Sequence, residues 1–383
     1  MSQLIISFSL LLFYPFLVSS FAANTFTISL NILLYTYLLY PLRRVIFLYK
    51  YLFFNLVFAF LFVNIYIYSA TPFYSIFATF RTYYIPVLLL PYFLLFCRSE
   101  RNLSSLRKLI NFFFLLFLGF QIIELLSIQL FPFLMPLLQP SNDLGLYSRP
   151  IGFLQDYQSV PFILGLSIIY FFINKSYRLI PIIMLIFSAS NMRTHLFASV
   201  GALAFYIICV SLLRFMSTRK LNLGYLVFSL SFTLLIFIFV LPILIHQINS
   251  NSSTLSIVLD YVIQDFRFYT SNINLFGTGV FDYSSEALYS IYSEVVLRNE
   301  IGFLRMLFEL GWIPTFALLF NIFSLIILPL SYDVPLALSL LVYISLGLLH
   351  HVTVFSLPCM LFLGFFILHC SSSFSQNLAK NNL

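Results

Sequence analysis

The sequence predicts an all-α polytopic integral membrane protein with about twelve transmembrane helices. Hydrophobic residues make up 61% of its 383 residues and charged residues only 8%, whereas about 25% of the residues in a soluble domain are charged. Apolar runs follow one another almost from end to end, and each spanning helix needs about 20 residues. The chain therefore has room for about a dozen spans, and residues 1–383 form a single polytopic membrane domain without a separate soluble one.

Twelve apolar runs are the candidate spans. They lie near residues 4–21, 25–41, 51–70, 76–97, 109–131, 157–173, 179–190, 194–213, 221–245, 300–330, 334–349 and 352–370. The first run also resembles the apolar part of a signal peptide, although no basic segment precedes it. Whether residues 1–23 are retained stays open, because their removal would leave the topology of the later spans unchanged.

Basic residues orient these spans. Of the 19 Lys and Arg residues, 13 lie on one side of the predicted membrane: Lys380 in the C-terminal tail and 12 in alternating breaks, among them Arg43-Arg44, Arg107-Lys108 and Arg219-Lys220. Basic loop residues are retained in the cytoplasm. We therefore expect these breaks and both chain termini to be cytoplasmic.

Two loops of substantial length lie on the opposite side, at residues 132–156 and 246–299. The larger loop has apolar residues at helical spacing from Leu255 to Phe268, which predicts an amphipathic helix along the membrane surface. A glycine-rich turn follows at Gly277 and Gly279, and it is either an ordinary turn or a place where the backbone approaches a ligand. The loop holds five acids against two arginines, so its net charge of −3 would not attract anions in general.

The six remaining basic residues are all arginines on the outer side. They are Arg81, Arg149, Arg193, Arg267, Arg298 and Arg305. Because they break the positive-inside rule, they need another explanation, and ionisable residues at membrane depth are candidates for function. A structural explanation is also open, since Glu124 lies at a depth similar to that of Arg81 and would pair with it.

Helical spacing offers the same two explanations near residue 300. Glu294 precedes Arg298 by four residues and Glu309 follows Arg305 by four, and both spacings favour ion pairs. Arg298, Gly302, Arg305 and Glu309 also share one face of the predicted helix. That face is polar and lies partly at membrane depth, so pairing and function remain alternatives for these arginines.

Two of the candidate spans have unusual lengths. The run at 179–190 is short and ends in the polar segment Ser188 to His195, which predicts a broken or re-entrant turn. Backbone N–H groups beside Arg193 would form an anion site there. Residues 300–330 would form one helix of about 46 Å, longer than the hydrocarbon layer of about 30 Å. We therefore expect the first turns of this helix to project outward.

The sequence argues against a metal, a cofactor or a nucleic-acid partner. Most histidines lie near the outer side, but the adjacent His350 and His351 point to different helical faces and no ligand motif accompanies them. No basic run is long enough to form a phosphate-binding stripe. The four cysteines lie within apolar runs or at their inner ends, so none is placed for a disulfide outside the membrane.

Four short motifs resemble those of bacterial O-antigen polymerases. The run from Arg149 to Asp156 resembles the R-x-x-G-x-x-x-[DN] element that opens a span, and Ser190-Asn-Met-Arg193 resembles an S-R element. Phe276-Gly-Thr-Gly279 is similar to a G-x-G element, and the run from Asn299 to Gly311 is similar to [HN]-…-L-x-x-L-x-E-x-G. These motifs cover about residues 150–311 in the order and topology of that family.

The resemblance implies a membrane fold of the glycosyltransferase C kind, with one large periplasmic loop. The substrates would be undecaprenyl-diphosphate-linked glycans at the periplasmic face of the bacterial inner membrane. The enzyme would transfer the growing chain onto the next lipid-linked repeat unit in lipopolysaccharide or similar polysaccharide biosynthesis. It would need neither a nucleotide sugar nor a metal, and its partners would include membrane lipids, a chain-length regulator and a flippase.

Two features depart from the family pattern. Two residues separate Ser190 from Arg193, and the histidine of the related O-antigen ligases has no counterpart, since Glu300 lies near that place. The missing histidine argues against the ligase alternative. A lipid-linked oligosaccharide flippase or other transporter stays open as a different class, although transporters usually have repeated halves and midplane sites. A membrane scaffold in envelope assembly is a third alternative.

The chemistry of this reaction explains why the outer cations are arginines. A diphosphate leaving group gains negative charge as the glycosidic bond breaks, and planar guanidinium groups bind phosphate oxygens in pairs. Arg149, Arg193 and Arg298 are the first candidates for binding the diphosphate, followed by Arg305, Arg81 and Arg267. Attack by a sugar hydroxyl would profit from a general base. Glu300 is the first candidate base and Asp156 the second, while Gly277 and Gly279 would form a substrate loop.

Overall fold

The structure is a computed structural model that describes several ranges of the chain. They are residues 103–135, 159–190, 193–218, 302–327, 332–350 and 359–370, together with Ile263, Phe266, Arg267, Thr270, Ser271, Leu275, Leu330 and Ser356. Every regular element in these ranges is a helix, which agrees with the predicted all-α class. The predicted spans between residues 4 and 97 and at 221–245 lie outside the described residues, as does most of each outer loop.

Eight α-helices occur in these ranges. In chain order they are α1 (Leu103–Leu130), α2 (Ser159–Ile173), α3 (Ile180–Ser190), α4 (Arg193–Thr218), α5 (Gly302–Leu310), α6 (Trp312–Ile327), α7 (Val334–His350) and α8 (Cys359–Cys370). Short 3-10 helices follow α1 at Pro132–Leu134 and precede α3 at Tyr177–Leu179. The apolar runs predicted at 109–131, 157–173, 179–190, 194–213 and 334–349 are thus confirmed as helices.

Two of these helices are long and apolar enough to cross a membrane. The qualifying segments are Arg107–Leu130 in α1 and His195–Leu213 in α4. The pair formed by α5 and α6 adds a third span if the two helices together cross the membrane. Shorter apolar helices account for α2, α3, α7 and α8. The described part of the chain therefore contains two or three candidate spans of the kind that the composition predicts.

The prediction of one continuous helix over residues 300–330 is wrong. The chain turns by 118° between α5 and α6, and Gly311 at the break has a φ of 81°. Its N–H donates to the Leu307 carbonyl over 2.8 Å, so Gly311 closes α5 in the left-handed conformation that glycine adopts without steric cost. Pro314 lies in the first turn of α6, where its missing N–H is tolerated. A helix of about 46 Å is therefore replaced by two shorter ones.

The described residues belong to two compact units. The first contains α1, α2, α3, α8 and the start of α4 up to Leu196. Within it, α3 packs against both α1 and α2. The second unit contains α4 from Phe197 onward together with α5, α6 and α7. Within the second unit α5, α6 and α7 pack against one another, and Ser339 of α7 donates a hydrogen bond of 2.7 Å to the Ala202 carbonyl of α4.

Aromatic side chains join α1 to α8 in the first unit. Phe113 stacks on Phe365 with ring centroids 5.3 Å apart, and Phe117, one turn later in α1, meets Phe362 at 5.3 Å. Residue numbers rise along α1 while they fall along α8. The two helices are therefore antiparallel.

Polar contacts show that α2 and α8 run in the same direction. Ser159, the first residue of α2, bonds to Ser356 just before α8, with 2.6 Å between their hydroxyl oxygens. Tyr170 near the end of α2 bonds to His369 near the end of α8. These directions agree with the predicted topology, in which the run at 109–131 leaves the cytoplasm and the runs at 157–173 and 352–370 return to it.

A hydrogen-bonded turn ends α2. The N–H of Ser176 donates to the Phe171 carbonyl over 2.8 Å, and the N–H of Lys175 donates to the Phe172 carbonyl over 3.1 Å. This pair of bonds is the Schellman motif, which needs a left-handed residue after the last turn. Lys175 takes that position with a φ of 59°, where glycine is the usual residue.

Candidate functional site

The break between α5 and α6 brings together several groups that the sequence singles out. On α5, Arg305 Nε lies 2.7 Å from Glu309 Oε1, so the ion pair predicted from their spacing is confirmed. The Glu309 side chain is fully buried and that of Arg305 is 18% exposed. A buried carboxylate is stable only with a partner. The pair therefore holds the guanidinium of Arg305 in one orientation at the edge of the unit.

Hydrogen bonds from Thr315 make the break a defined structure. The buried Thr315 hydroxyl donates to the Met306 carbonyl over 3.2 Å, and the Thr315 N–H donates to the Gly311 carbonyl over 3.2 Å. The first turn of α6 is thus tied back to α5, nine residues earlier in the chain. These bonds pair polar groups that would otherwise lack hydrogen bonds at the ends of two short helices.

One residue of the large outer loop reaches this break. The N–H of Ile313 donates to the carbonyl of Leu275 over 3.2 Å. Ile313 lies in the first turn of α6, where N–H groups have no partner within the helix. Leu275 directly precedes the segment Phe276-Gly-Thr-Gly279. The backbone next to the G-x-G element therefore lies beside Ile313, two residues after Gly311, which ends the E-x-G element.

The predicted amphipathic helix of the large loop is partly described. Ile263, Phe266, Arg267, Thr270 and Ser271 are helical and exposed. The Thr270 hydroxyl donates to the Phe266 carbonyl four residues earlier, at 2.7 Å. Helical residues are therefore described as far as Ser271, beyond the predicted end at 268, and the apolar side chains of Ile263 and Phe266 are exposed. Arg267 is an exposed residue of this stretch.

Arg193 is the first residue of α4. The described part of the preceding helix ends at Ser190, and residues 191–192, where the polar run predicts a break, lie outside the described residues. The anion site at the start of α4 therefore stays a prediction. The side chain of Arg193 lies outside the description.

The other predicted site residues lie outside the described residues. They are Arg81, Arg149, Asp156, Gly277, Gly279, Arg298 and Glu300. Their roles stay predictions. The proposed pair of Arg81 with Glu124 is untested for the same reason, although Glu124 itself is buried in α1.

A polar network that the sequence did not indicate joins α2 and α8. Asn174 Oδ1 accepts a hydrogen bond from His369 Nε2 at 2.9 Å, so Nδ1 of the same ring accepts from the Tyr170 hydroxyl at 3.2 Å. The ring of Tyr170 stacks on Phe114 of α1 at 4.0 Å. The three helices are held together at one end by this network.

A second group of polar residues lies at the other end of the same unit. Gln121, Glu124 and Ser127 are buried on one face of α1. Cys359 Sγ lies 3.8 Å from the Ser159 carbonyl oxygen, next to the contact of the Ser159 hydroxyl with Ser356. Only Glu124 of this group stands out in the sequence, because a single Gln or Ser in an apolar run has many structural uses.

Comparison of the chain with known protein families, with curated proteins and with solved structures finds no match.

Proposed function

We propose that the chain is a membrane glycosyltransferase that polymerises lipid-linked oligosaccharides. Its substrates are undecaprenyl-diphosphate-linked repeat units at the periplasmic face of the bacterial inner membrane, and its product is O-antigen or a similar surface polysaccharide. The observation that carries the proposal is the hydrogen bond between Ile313 and Leu275. The bond brings the residue before the G-x-G element next to the first turn of α6, two residues after the E-x-G element ends, although more than thirty residues separate Leu275 from Ile313.

The proposed architecture has about twelve transmembrane helices in a glycosyltransferase C-like arrangement, with both termini cytoplasmic. The all-helical described part and its two or three candidate spans support this arrangement. The directions of α1, α2 and α8 also support it. In that topology the break between α5 and α6 lies toward the periplasmic side, where the large loop begins and ends.

The reaction forms one bond and breaks another at the anomeric carbon of the growing chain. A hydroxyl of the incoming repeat unit attacks this carbon, and the carbon–oxygen bond to the diphosphate breaks. The hydroxyl proton passes to a base, Glu300 or Asp156, and undecaprenyl diphosphate leaves. Negative charge on the leaving diphosphate is the charge that the protein must stabilise.

Arginines supply that stabilisation. Arg149, Arg193 and Arg298 bind the diphosphate oxygens, and the N–H groups at the start of α4 reinforce Arg193. Arg305, Arg81 and Arg267 are the further candidates. The partly exposed guanidinium of Arg305 is preorganised by Glu309, 2.7 Å away, and preorganised charges stabilise a transition state without reorganisation.

The test uses Arg193→Ala and Arg298→Ala in the full chain, expressed in a strain from which the gene is deleted. We expect surface glycan with a single repeat unit in place of a polymer ladder on a lipopolysaccharide or capsule gel. Arg178→Ala is the matched control, since Arg178 is exposed and lies on the predicted cytoplasmic side. Immunoblots of membrane fractions check that all variants are present in equal amounts.

The deletion strain also separates the proposed function from its alternatives. Loss of a polymerase leaves one repeat unit displayed, whereas loss of a flippase or of a ligase leaves none. A normal ladder from both arginine variants would overturn the arginine assignment. A deletion strain with a normal ladder would overturn the proposed function.

A further inference from the structure

The interior face of α1 changes from apolar to polar halfway along the helix. Up to Leu118 its buried residues are apolar and largely aromatic. Beyond that point the same face carries Gln121, Glu124 and Ser127, which are 0%, 1% and 5% exposed. Their spacing of three residues keeps them on one side of the helix. The polar half is the half nearer Leu130, which the predicted topology places on the outer side.

The register between α1 and α8 identifies the part of α8 that lies at the same level as Gln121. Phe117 of α1 meets Phe362 of the antiparallel α8. One turn further along α1 is Gln121, and about one turn back along α8 is Cys359. Cys359 contacts the Ser159 carbonyl. Ser159 and its partner Ser356 therefore lie at about the level of Gln121.

The register between α1 and α2 leads to the same level independently. Phe114 stacks on Tyr170. From this contact Gln121 lies about 10 Å further along α1, and Phe162 lies about 12 Å back along the antiparallel α2. The ring of buried His195 lies perpendicular to the Phe162 ring at a centroid distance of 5.8 Å. Three helices of the first unit, together with the residue Ser356 that precedes α8, thus place polar residues at one level, which we call the outer polar layer: Gln121, Glu124, Ser159, His195 and Ser356.

Gln121 stands apart within this layer. Both atoms of its amide, Nε2 and Oε1, are buried and have no hydrogen-bond partner in the described part of the chain. Buried amides in proteins are almost always hydrogen-bonded, because leaving them unpaired costs free energy. We infer that the hydrogen-bond partner of the Gln121 amide is supplied by a bound ligand.

The chemistry of the layer selects the kind of ligand. A carboxamide donates and accepts at once, and a carboxylate such as that of Glu124 accepts from hydroxyls and repels phosphate. Neighbouring hydroxyl groups of a sugar ring match this combination. We propose that the outer polar layer binds a sugar of the lipid-linked repeat unit, with Gln121 as a residue that determines sugar specificity; the identity of this ligand rests on the proposed function.

Gln121 is fully buried, so we expect the sugar to enter only when the outer ends of α1 and α2 separate.

The test measures sugar binding apart from activity. The full chain is purified in detergent, and its thermal unfolding is followed with the oligosaccharide released by mild acid from lipid-linked repeat units of the deletion strain. We expect this oligosaccharide to raise the Tm of the wild type and of Gln129→Met, but not that of Gln121→Met. Gln129 is the matched control because it is an exposed glutamine on the same helix. Undecaprenyl diphosphate without sugar should raise the Tm of all three proteins equally.

Steady-state kinetics add a second measurement. We expect Gln121→Met to raise KM for the lipid-linked repeat unit about fivefold with little change in kcat, the effect of losing about one hydrogen bond in binding. Without ligand its Tm should equal or exceed that of the wild type, since an unpaired buried amide has been removed. Gln121→Leu repeats the test with a different apolar shape.

The outcomes separate this inference from the proposed function. Equal stabilisation of the wild type and of both Gln121 variants by the oligosaccharide overturns the sugar site, as does the absence of any stabilisation of the wild type. If the arginine variants stop polymerisation while Gln121→Met keeps the wild-type KM, only the sugar site fails. If the sugar-dependent Tm shift is lost in Gln121→Met but the deletion strain makes normal polymer, the polymerase fails and the glycan site stands.

Discussion

Arg305 and Glu309 form an ion pair in which the carboxylate is fully buried and the guanidinium is partly exposed, with 2.7 Å between Nε and Oε1. The two sides of the pair therefore differ in what happens when the partner is removed. A guanidinium at the edge of the unit can take up water. A buried carboxylate cannot, and removing its partner is the more damaging change.

The first prediction follows from this asymmetry. We expect Arg305→Ala to lower the free energy of unfolding by about 3 kcal/mol, and Glu309→Gln to lower it by about 1 kcal/mol, because glutamine fills the same space without a charge. Thermal unfolding of the purified full chain in detergent measures both. Equal losses for the two variants would show that the carboxylate does not depend on Arg305.

The second prediction concerns the left-handed conformation of Gly311. Alanine at a φ of 81° clashes with its own backbone, so we expect Gly311→Ala to destabilise the protein by about 1–2 kcal/mol. The control is Gly119→Ala in the middle of α1, where a Cβ would meet nothing within 4 Å. The control should stabilise by up to about 1 kcal/mol, because alanine favours helix more than glycine does. Changes of the same sign in both variants would contradict the role of Gly311.

The third prediction uses the turn that ends α2. Lys175 has a φ of 59°, which strains a residue with a Cβ. Lys175→Gly should therefore raise the free energy of unfolding by about 1 kcal/mol. Lys175→Ala removes the same charge and keeps the strain, so it should leave stability near that of the wild type. A gain for alanine as large as that for glycine would assign the effect to charge.

The fourth prediction concerns pH. The N–H of Leu336 donates to Asp333 Oδ1 over 3.1 Å, so this side chain caps the start of α7. Burial raises the pKa of the Asp333 carboxyl, and the hydrogen bond from Leu336 opposes the rise only in part. An acid with a raised pKa in the folded state contributes stability below its unfolded pKa of about 3.9 and loses it as pH rises through the folded pKa.

The measurement compares Asp333→Asn with the wild type between about pH 4 and pH 7. Asparagine keeps the capping oxygen without a titrating group. The Tm of the variant minus that of the wild type should therefore rise with pH over this range. Asp333→Ala should lose about 1 kcal/mol at every pH, because the cap itself is gone. A Tm difference for asparagine that falls with pH would contradict the raised pKa.

The parts of the fold that sequence predicted are those with local causes. The runs that became α1 to α4 and α7 are bounded by charged or polar segments, so composition alone marks their ends. The sequence does not predict the break at Gly311, because this glycine lies inside a long apolar run. Such a run indicates a continuous helix, and a single glycine within it is compatible with one. The Arg305–Glu309 pair was predictable because its partners are one helical turn apart.

The contacts that sequence did not predict join distant parts of the chain. Leu275 and Ile313 meet through backbone groups, which any residue type has. Tyr170 and His369 are 199 residues apart, and neither has a neighbour in sequence that suggests the other. A role for Gln121 can be inferred only when the structure shows that α2 and α8 lie at the same level as this residue. Such contacts depend on tertiary packing, which a periodic pattern does not encode.

The fifth prediction tests whether the network of Tyr170 and His369 holds α2 and α8 together. Tyr170→Phe removes only the hydroxyl that bonds to His369 Nδ1 at 3.2 Å, and we expect a loss of about 1 kcal/mol. The control is Tyr177→Phe, which removes a hydroxyl from an exposed ring and should change stability by less than about 0.5 kcal/mol.

A double-mutant cycle with His369→Leu then isolates the interaction between the two side chains. If the hydroxyl acts through His369, Tyr170→Phe should lower the free energy of unfolding only slightly in the His369→Leu background. The coupling free energy between the two side chains should then be about 1 kcal/mol. Additive losses would mean that each side chain stabilises the protein separately. Because the bond connects the ends of two parallel helices, coupling would also identify this network as the contact that aligns α8 with α2.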